Sequence, residues 1–70
     1  MEATEQFAHN LRDLRVRRGL SQEALGEASG LHRTEISLLE RAGREPRLTT
    51  IVRLAHALKV GPSELLAHVR

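Results

Sequence analysis

The apolar residues of the chain recur at helical spacing in segments that glycine and proline separate. The first segment is predicted to begin after Thr4 as its N-cap and to carry Phe7, Leu11 and Leu14 on one stripe. Gly19 is well placed to end this helix in the left-handed conformation. The pattern predicts an all-α protein.

Four further helices follow from the same signals. Ser21 is predicted to cap a second helix, which ends at the Ser-Gly pair 29–30 after little more than two turns. A third helix runs from about residue 33 to residue 41, where the sequence AGREP breaks it. A fourth covers LTTIVRLAHALK, and Gly61 and Pro62 open a short fifth, because proline is favoured at the first helical position. The wide apolar face predicted for the fourth helix comprises Leu48, Ile51, Val52, Leu54, Ala55 and Leu58.

The third helix contains two adjacent leucines, of which only one fits a single core-facing stripe. With Ile36 as the inner reference, Leu39 lies about 60° away around the helix axis and Leu38 about 160° away. Leu39 is therefore predicted to be core, and Leu38 to face outward. The other residues predicted on the outward face are Thr34, Ser37 and Arg41.

The short connection around Gly30 is typical of a helix-turn-helix motif, which is predicted over about residues 21–41. Gly26 permits close approach of the paired helices, and Gly30 supplies the turn. The apolar anchors of the motif are Leu25, Ile36 and Leu39.

The run RGLSQEALGEASGLHRTEISLLERAGREPRLTTIVRLAHALKVGPSELL resembles the lambda-repressor-like DNA-binding family of phage repressors, xenobiotic-response-type regulators and restriction-modification controller proteins. The resemblance covers the chain from about Phe7 to Leu66. It implies a compact five-helix domain that binds operator DNA, usually as a dimer, with the third helix in the major groove.

The sequence departs from the family pattern at several positions. The family often has alanine at the positions of Gly26 and Ser29, and glycine at the position of Ala42. Controller-like sequences frequently have tyrosine where Glu35 stands, and many relatives have a polar residue at Leu38. We expect the fold to be kept. The departures bear on the backbone path after the third helix, which in similar proteins lies against a phosphate, and on Glu35, which would repel phosphate if it pointed inward.

The length of 70 residues predicts one domain, with too little interior for both a core and a catalytic cavity. The chain has no cysteine, which excludes disulfides and thiolate zinc sites and leaves oligomerisation as a way to stabilise so small a domain. No apolar run approaches a membrane span, and the polar, acidic start MEATEQF is unlike a signal peptide. We therefore expect a cytoplasmic protein with no membrane partner.

The charge of the chain favours a polyanionic partner. Eleven basic residues, ten of them arginines, give a formal charge of +2, and the pI of about 10.4 lies in the range that suggests nucleic acid. Phe7 is the only aromatic residue, which disfavours a single-strand binder that stacks bases on aromatic side chains. Double-stranded DNA is the expected partner.

Five residues are predicted to read base edges in the major groove. Arg33, at the start of the third helix, suits bidentate contact with guanine O6 and N7, and an ordinary solvated arginine is the alternative. Thr34 offers a methyl and a hydroxyl to thymine or phosphate, and an ordinary surface threonine is the alternative. Leu38, which we expect to be exposed in the free protein, suits a thymine methyl, and a surface leucine without a role is the alternative. The resemblance implies that Gln22 contacts phosphate or an adenine edge, and a residue that only neighbours the helix cap is the alternative. The predicted base-reading residues are Gln22, Arg33, Thr34, Ser37 and Leu38.

Predicted phosphate contacts surround this face. Ser21 is first a helix cap, and the amides that it organises form an anion site. The resemblance implies backbone contact for Arg44, and either a minor-groove contact or a solvated loop position for Arg47. The predicted phosphate-binding residues are Ser21, His32, Arg41, Arg44 and Arg47.

Arg15 and Glu40 are predicted to form a structural ion pair. Glu40 lies about 40° from Ile36 on the third helix, close to the core face, and relatives pair an acid here with the arginine that matches Arg15.

The four histidines lack metal-ligand spacing, and no catalytic constellation is present. We expect no enzyme activity, metal, cofactor or small-molecule ligand.

The C-terminal segment is predicted to form a dimerisation helix over about residues 62–69. Leu65, Leu66 and Val69 cannot all enter one core from two turns of helix, and relatives pair through this region. A two-fold homodimer would place two recognition helices about 34 Å apart on a near-palindromic site. The alternative is that Leu66 or Val69 completes the monomer core.

These features predict a sequence-specific DNA-binding transcriptional regulator. Arginines that frame a polar helix face favour this function over a protein-interaction module such as an antitoxin, whereas the outward Leu38 favours the interaction module slightly. A third possibility is that the chain is the DNA-binding piece of a longer regulator.

Overall fold

The computed structural model describes residues 1–70 and contains five helices and no strand, as predicted. The helices are α1 (Ala3–Arg17), α2 (Gln22–Ser29), α3 (Arg33–Glu40), α4 (Leu48–Leu58) and α5 (Pro62–Leu65). No helix is long and apolar enough to cross a membrane.

The start of α1 differs from the prediction, because Glu2 and not Thr4 is the N-cap. The Glu2 carboxylate accepts hydrogen bonds from the backbone N–H groups of Thr4 and Glu5, and the Glu5 carboxylate accepts one from the N–H of Glu2. This reciprocal capping box satisfies amides that α1 leaves unpaired, and it draws Thr4 into the first turn.

The ends of α2 follow the sequence signals. The Ser21 hydroxyl accepts a hydrogen bond from the N–H of Ala24 at 3.0 Å, and Gly30 ends the helix with φ of 75°. The prediction for Gly26 is also confirmed, since a Cβ at this position would lie 2.7 Å from the carbonyl oxygen of Leu31. The α2 helix therefore approaches the backbone of the turn before α3 so closely that a side chain at this position would require the backbone to shift.

All five helices contribute to one core. The predicted anchors Leu25, Ile36 and Leu39 are completely or almost completely buried, which confirms the assignment of Leu39 to the inner face of α3. The other large buried apolar residues are Phe7, Leu11, Ile51, Leu54, Leu58 and Leu65.

The C-terminal part of the prediction needs three corrections. Leu65 has no exposed surface and belongs to the core, so it is not available to a dimer partner. The helix α5 ends at Leu65 and not near Val69. The predicted apolar face of α4 is too wide, because Leu48 is 76% exposed and Val52 41% exposed: no neighbouring helix covers that side.

Candidate nucleic-acid interface

The outward face of α3 presents the predicted polar residues to solvent. Arg33 and Thr34 are exposed in the first turn, and Ser37 is half-buried one turn later. Arg41, the C-cap, is exposed, and its Nε donates a hydrogen bond to the carbonyl oxygen of Ser37 at 3.3 Å. Arginines therefore stand at both ends of a polar strip.

Leu38 lies outside the core, as predicted. Its side chain is half-buried, however, so the prediction that it is fully exposed was wrong. The reason is the backbone path after α3. Ala42 adopts φ of 57°, and the chain turns back so that the N–H of Gly43 donates to the carbonyl oxygen of Leu38 at 2.9 Å. A Cβ at Gly43 would lie 3.3 Å from Cδ2 of Leu38, so Gly43 covers part of this side chain.

His32 caps α3 with its side chain. The Nδ1 atom accepts a hydrogen bond from the N–H of Thr34 at 3.1 Å, and His32 is exposed. Because Nδ1 is the acceptor, the neutral ring carries its proton on Nε2, which leaves one N–H donor for an anion at the start of α3.

The predicted pair of Arg15 and Glu40 is present. Arg15 Nε and Nη2 donate to the two carboxylate oxygens of Glu40 at 2.6 and 3.0 Å, and the two side chains are 12% and 4% exposed. The hydrogen bond to Glu40 raises the pKa of Arg15, partly opposed by desolvation. Arg15 Nη1 also donates to the carbonyl oxygen of Leu20, so the pair ties α1, the turn before α2 and the end of α3 together.

Gln22 joins this ion pair, which sequence reasoning did not anticipate. Its Nε2 donates to Oε1 of Glu40 at 3.1 Å, and the side chain is half-buried at the first position of α2. Gln22 and Glu40 are 18 residues apart, and helical spacing within one element gives no signal for such a contact.

A basic cleft of about 610 Å³ lies between the start of α3 and the start of α4. It brings together His32, Arg44 and Arg47, all three predicted to contact phosphate, and adds Arg53, which the sequence analysis missed. Thr49 and Arg53 lie four residues apart on α4 and so share one face, a signal that could have identified Arg53. The lining residues of the basic cleft are Gly30, Leu31, His32, Glu35, Arg44, Glu45, Arg47, Thr49, Thr50 and Arg53.

The start of α4 forms part of the wall of the basic cleft. Arg47 is the N-cap but makes no side-chain cap hydrogen bond, and Thr50 is 7% exposed at the cleft wall. The acidic residues Glu35 and Glu45 also line the cleft, so its positive charge is partly balanced.

A second surface is apolar. Leu48 and Val52 lie one turn apart on the uncovered side of α4, and Leu66, which is 40% exposed, follows α5. Leu66 lines a groove of about 180 Å³ together with Phe7, Ile51 and Val69. We call Leu48, Val52, Leu66 and this groove the apolar surface.

No group of three or more His, Cys, Asp or Glu side chains that could hold a metal ion is present in residues 1–70.

Comparisons with known proteins agree with this architecture. A protein-family model described as helix-turn-helix matches residues 11–65. The control protein C.SmaI of Serratia marcescens is 46% identical over 66 residues, which cover 94% of this chain and 79% of that protein.

Two solved structures are similar over most of their length. The restriction-modification controller protein C.AhdI of Aeromonas hydrophila is 44% identical with a TM-score of 0.87, over 89% of this chain and 94% of its own. The P22 c2 repressor, solved in complex with a synthetic operator, is 31% identical with a TM-score of 0.80, over 87% of this chain and 92% of its own.

The chain belongs to the lambda-repressor-like helix-turn-helix family. This is a family of transcription regulators of the controller-protein and repressor type and not a class of enzymes.

Proposed function

We propose that the protein is a sequence-specific regulator of transcription that binds a near-palindromic operator in double-stranded DNA as a homodimer, with α3 in the major groove. The observation that carries this proposal is the outward face of α3, a polar strip with Arg33 and Arg41 at its ends and the basic cleft beside its first turn. The names of the similar proteins, a control protein, a controller protein and a repressor bound to an operator, support the same function.

Base reading is assigned to the residues that the start of α3 presents. Arg33 donates two parallel hydrogen bonds to guanine, and Thr34 and Ser37 make shorter polar contacts. The exposed part of Leu38 contacts a thymine methyl, the one apolar group that a base pair offers in the major groove. Gln22 contributes from the first turn of α2.

Phosphate binding is assigned to groups around this strip. His32 donates through Nε2–H, and the first amides of α2, organised by Ser21, face an anion. Arg41 and Arg44 contact the backbone after α3. Arg47 contacts it from the basic cleft, where its side chain lies beside the start of α4.

The apolar surface is assigned to the homodimer. An exposed apolar patch with a polar surround is typical of a protein interface, and a small domain gains stability from association. We assign Leu48, Val52 and Leu66 to the interface because they are exposed, whereas Leu65 is core. Val69 is half-buried against the core, and we assign its exposed part to the interface.

A salt-dependent binding experiment tests this function. Operator sequences are first selected from a random duplex pool, and affinity for a selected duplex and for a scrambled duplex is then measured from low to high salt. With three phosphate-binding arginines in each of two protomers, we expect log K to fall against log salt with a slope of about −5.

Equal affinity for the selected and scrambled duplexes would overturn sequence-specific binding and favour an interaction module. Sedimentation of a monomer at tens of micromolar, both free and on DNA, would overturn the homodimer.

A further inference from the structure

The amide of Gln22 is held by a carboxylate that is itself almost fully buried. Glu40 is 4% exposed and accepts three N–H groups: two from Arg15, at 2.6 and 3.0 Å, and one from Gln22, at 3.1 Å. Arg15 is fixed in turn by its bond to the carbonyl oxygen of Leu20. The Gln22 side chain is thus bonded to a buried ion pair that joins α1 to α3.

This anchor decides which edge of the amide faces away from the protein. An ionised carboxylate only accepts hydrogen bonds, so Glu40 must be met by the amide nitrogen of Gln22 and not by its oxygen. A flipped amide would place two acceptors against each other. The carbonyl oxygen and the second N–H of Gln22 therefore remain for another partner.

A phosphate group and a base edge require different hydrogen-bonding groups from the free part of the Gln22 amide. Phosphate oxygens only accept and would use the N–H alone, whereas adenine offers an N6–H donor and an N7 acceptor in the major groove, which match a carbonyl oxygen and an N–H together. The orientation that Glu40 imposes leaves both groups available.

We propose that Glu40 is a positioning residue, which holds Gln22 so that its carbonyl oxygen and second N–H read an adenine edge. The inference rests on the proposed DNA-binding function and deepens it. Without the carboxylate, Gln22 would sample other rotamers and either amide orientation, and it would have to be ordered when DNA binds.

Nuclear magnetic resonance of the free protein tests the orientation. One side-chain amide proton of Gln22 should be protected from exchange with solvent because it is bonded to Glu40, and replacing Glu40 should remove the protection. Gln6 is a matched control, because its Nε2 donates to Asn10 at 2.9 Å, away from Glu40. Fast exchange of both Gln22 protons in the wild-type protein would overturn the proposal.

A double-mutant cycle tests the consequence for DNA. Replacing both charges, Arg15→Met with Glu40→Met, removes the acceptor without leaving an unpaired buried charge. Gln22→Ala should weaken binding to the selected operator about tenfold in the wild-type background and less than about threefold in the Met background. Arg33→Ala serves as the control and should cost the same factor in both.

Equal losses from Gln22→Ala in the two backgrounds, or a loss shared by all duplexes regardless of sequence, would overturn the positioning role while leaving the proposed function intact. A wild-type protein with no operator preference would overturn the proposed function instead. If the Met variant does not fold, resonance shifts of the wild-type Gln22 amide on operators with and without the adenine decide: equal shifts on both contradict the inference.

Discussion

The surface formed by α2 and α3 and the surface formed by α4 and α5 expose different kinds of side chain. The large apolar residues that are exposed include Leu48, Val52 and Leu66 in the C-terminal half, and none lies in α2 or α3. The outward face of α3 instead exposes Arg33 and Thr34. Since nucleic acid is contacted by charged and polar groups and protein interfaces have apolar centres, the two surfaces suit different partners.

The contrast has a practical consequence, because the two surfaces share the same core. A substitution on the outward face of α3 should weaken DNA binding and leave dimerisation intact, whereas a substitution on the apolar surface should weaken dimerisation and, through it, binding to the operator. A substitution in the core should lower the free energy of unfolding.

Leu65→Ala should lower the free energy of unfolding by about 2–5 kcal/mol, because it removes a buried leucine side chain and leaves a cavity. Leu66→Ala is the matched control next to it and should cost less than about 1 kcal/mol in the monomer, since its side chain is already 40% exposed. Urea denaturation at low protein concentration measures both. A stable Leu65→Ala protein that fails to dimerise would restore Leu65 to the interface.

Leu66→Glu should weaken the dimer by about 3 kcal/mol, because each dimer carries two copies of the change and each places a charge in an apolar contact. The monomer should keep its helical content and its melting behaviour at low concentration. Analytical ultracentrifugation measures the dissociation constant, and Val16→Glu is the control, since Val16 is also exposed but lies on α1. A similar loss from both variants would mean that the apolar surface is not the interface.

The helices themselves could be predicted because local residues determine their ends. Ser21 and Gly30 act at the ends of α2 as expected, and Gly19 has the left-handed φ of 69° expected at the end of α1. The start of α1 was predicted two residues too late. Threonine is a more common N-cap than glutamate, which favoured Thr4, but Glu2 caps the helix with its carboxylate.

The C-terminal half was harder to predict for a physical reason. A helix of four residues, as in α5, is too short for apolar periodicity to tell Leu65 from Leu66. Periodicity also identifies an apolar face on α4 without showing whether another helix covers it, which is why Leu48 was misplaced. The bond between Gln22 and Glu40 depends on tertiary packing, and no local pattern encodes it.

On the polar surface, Arg33→Ala should cost about 2 kcal/mol of binding to the selected operator and relax the preference at one base pair. Arg44→Ala should weaken all duplexes about equally and reduce the salt slope, because a phosphate contact carries no sequence information. Affinities for the operator and its single-base variants, measured at several salt concentrations, distinguish the two roles. Loss of base preference from both changes would show that the roles are assigned wrongly.

Leu38 gives the smallest and most specific prediction, because it is the one apolar side chain on the polar face of α3. It is half-buried, and Gly43 covers part of it. Leu38→Ala should therefore lower the free energy of unfolding by about 1 kcal/mol, less than the loss expected for a core leucine. It should also weaken operator binding by about 0.8 kcal/mol, the value of one buried methyl group.

The source of that binding loss can be identified on the DNA. Replacing the contacted thymine by uracil removes the thymine methyl, so it abolishes the same contact from the DNA side. The losses from the two changes should therefore not add when they are combined. Ser37→Ala is the matched control on the same face, and its loss should add fully to that of uracil. A Leu38→Ala protein that melts far earlier but binds the operator normally would mean that Leu38 only supports the turn after α3, and that α3 meets DNA with polar groups alone.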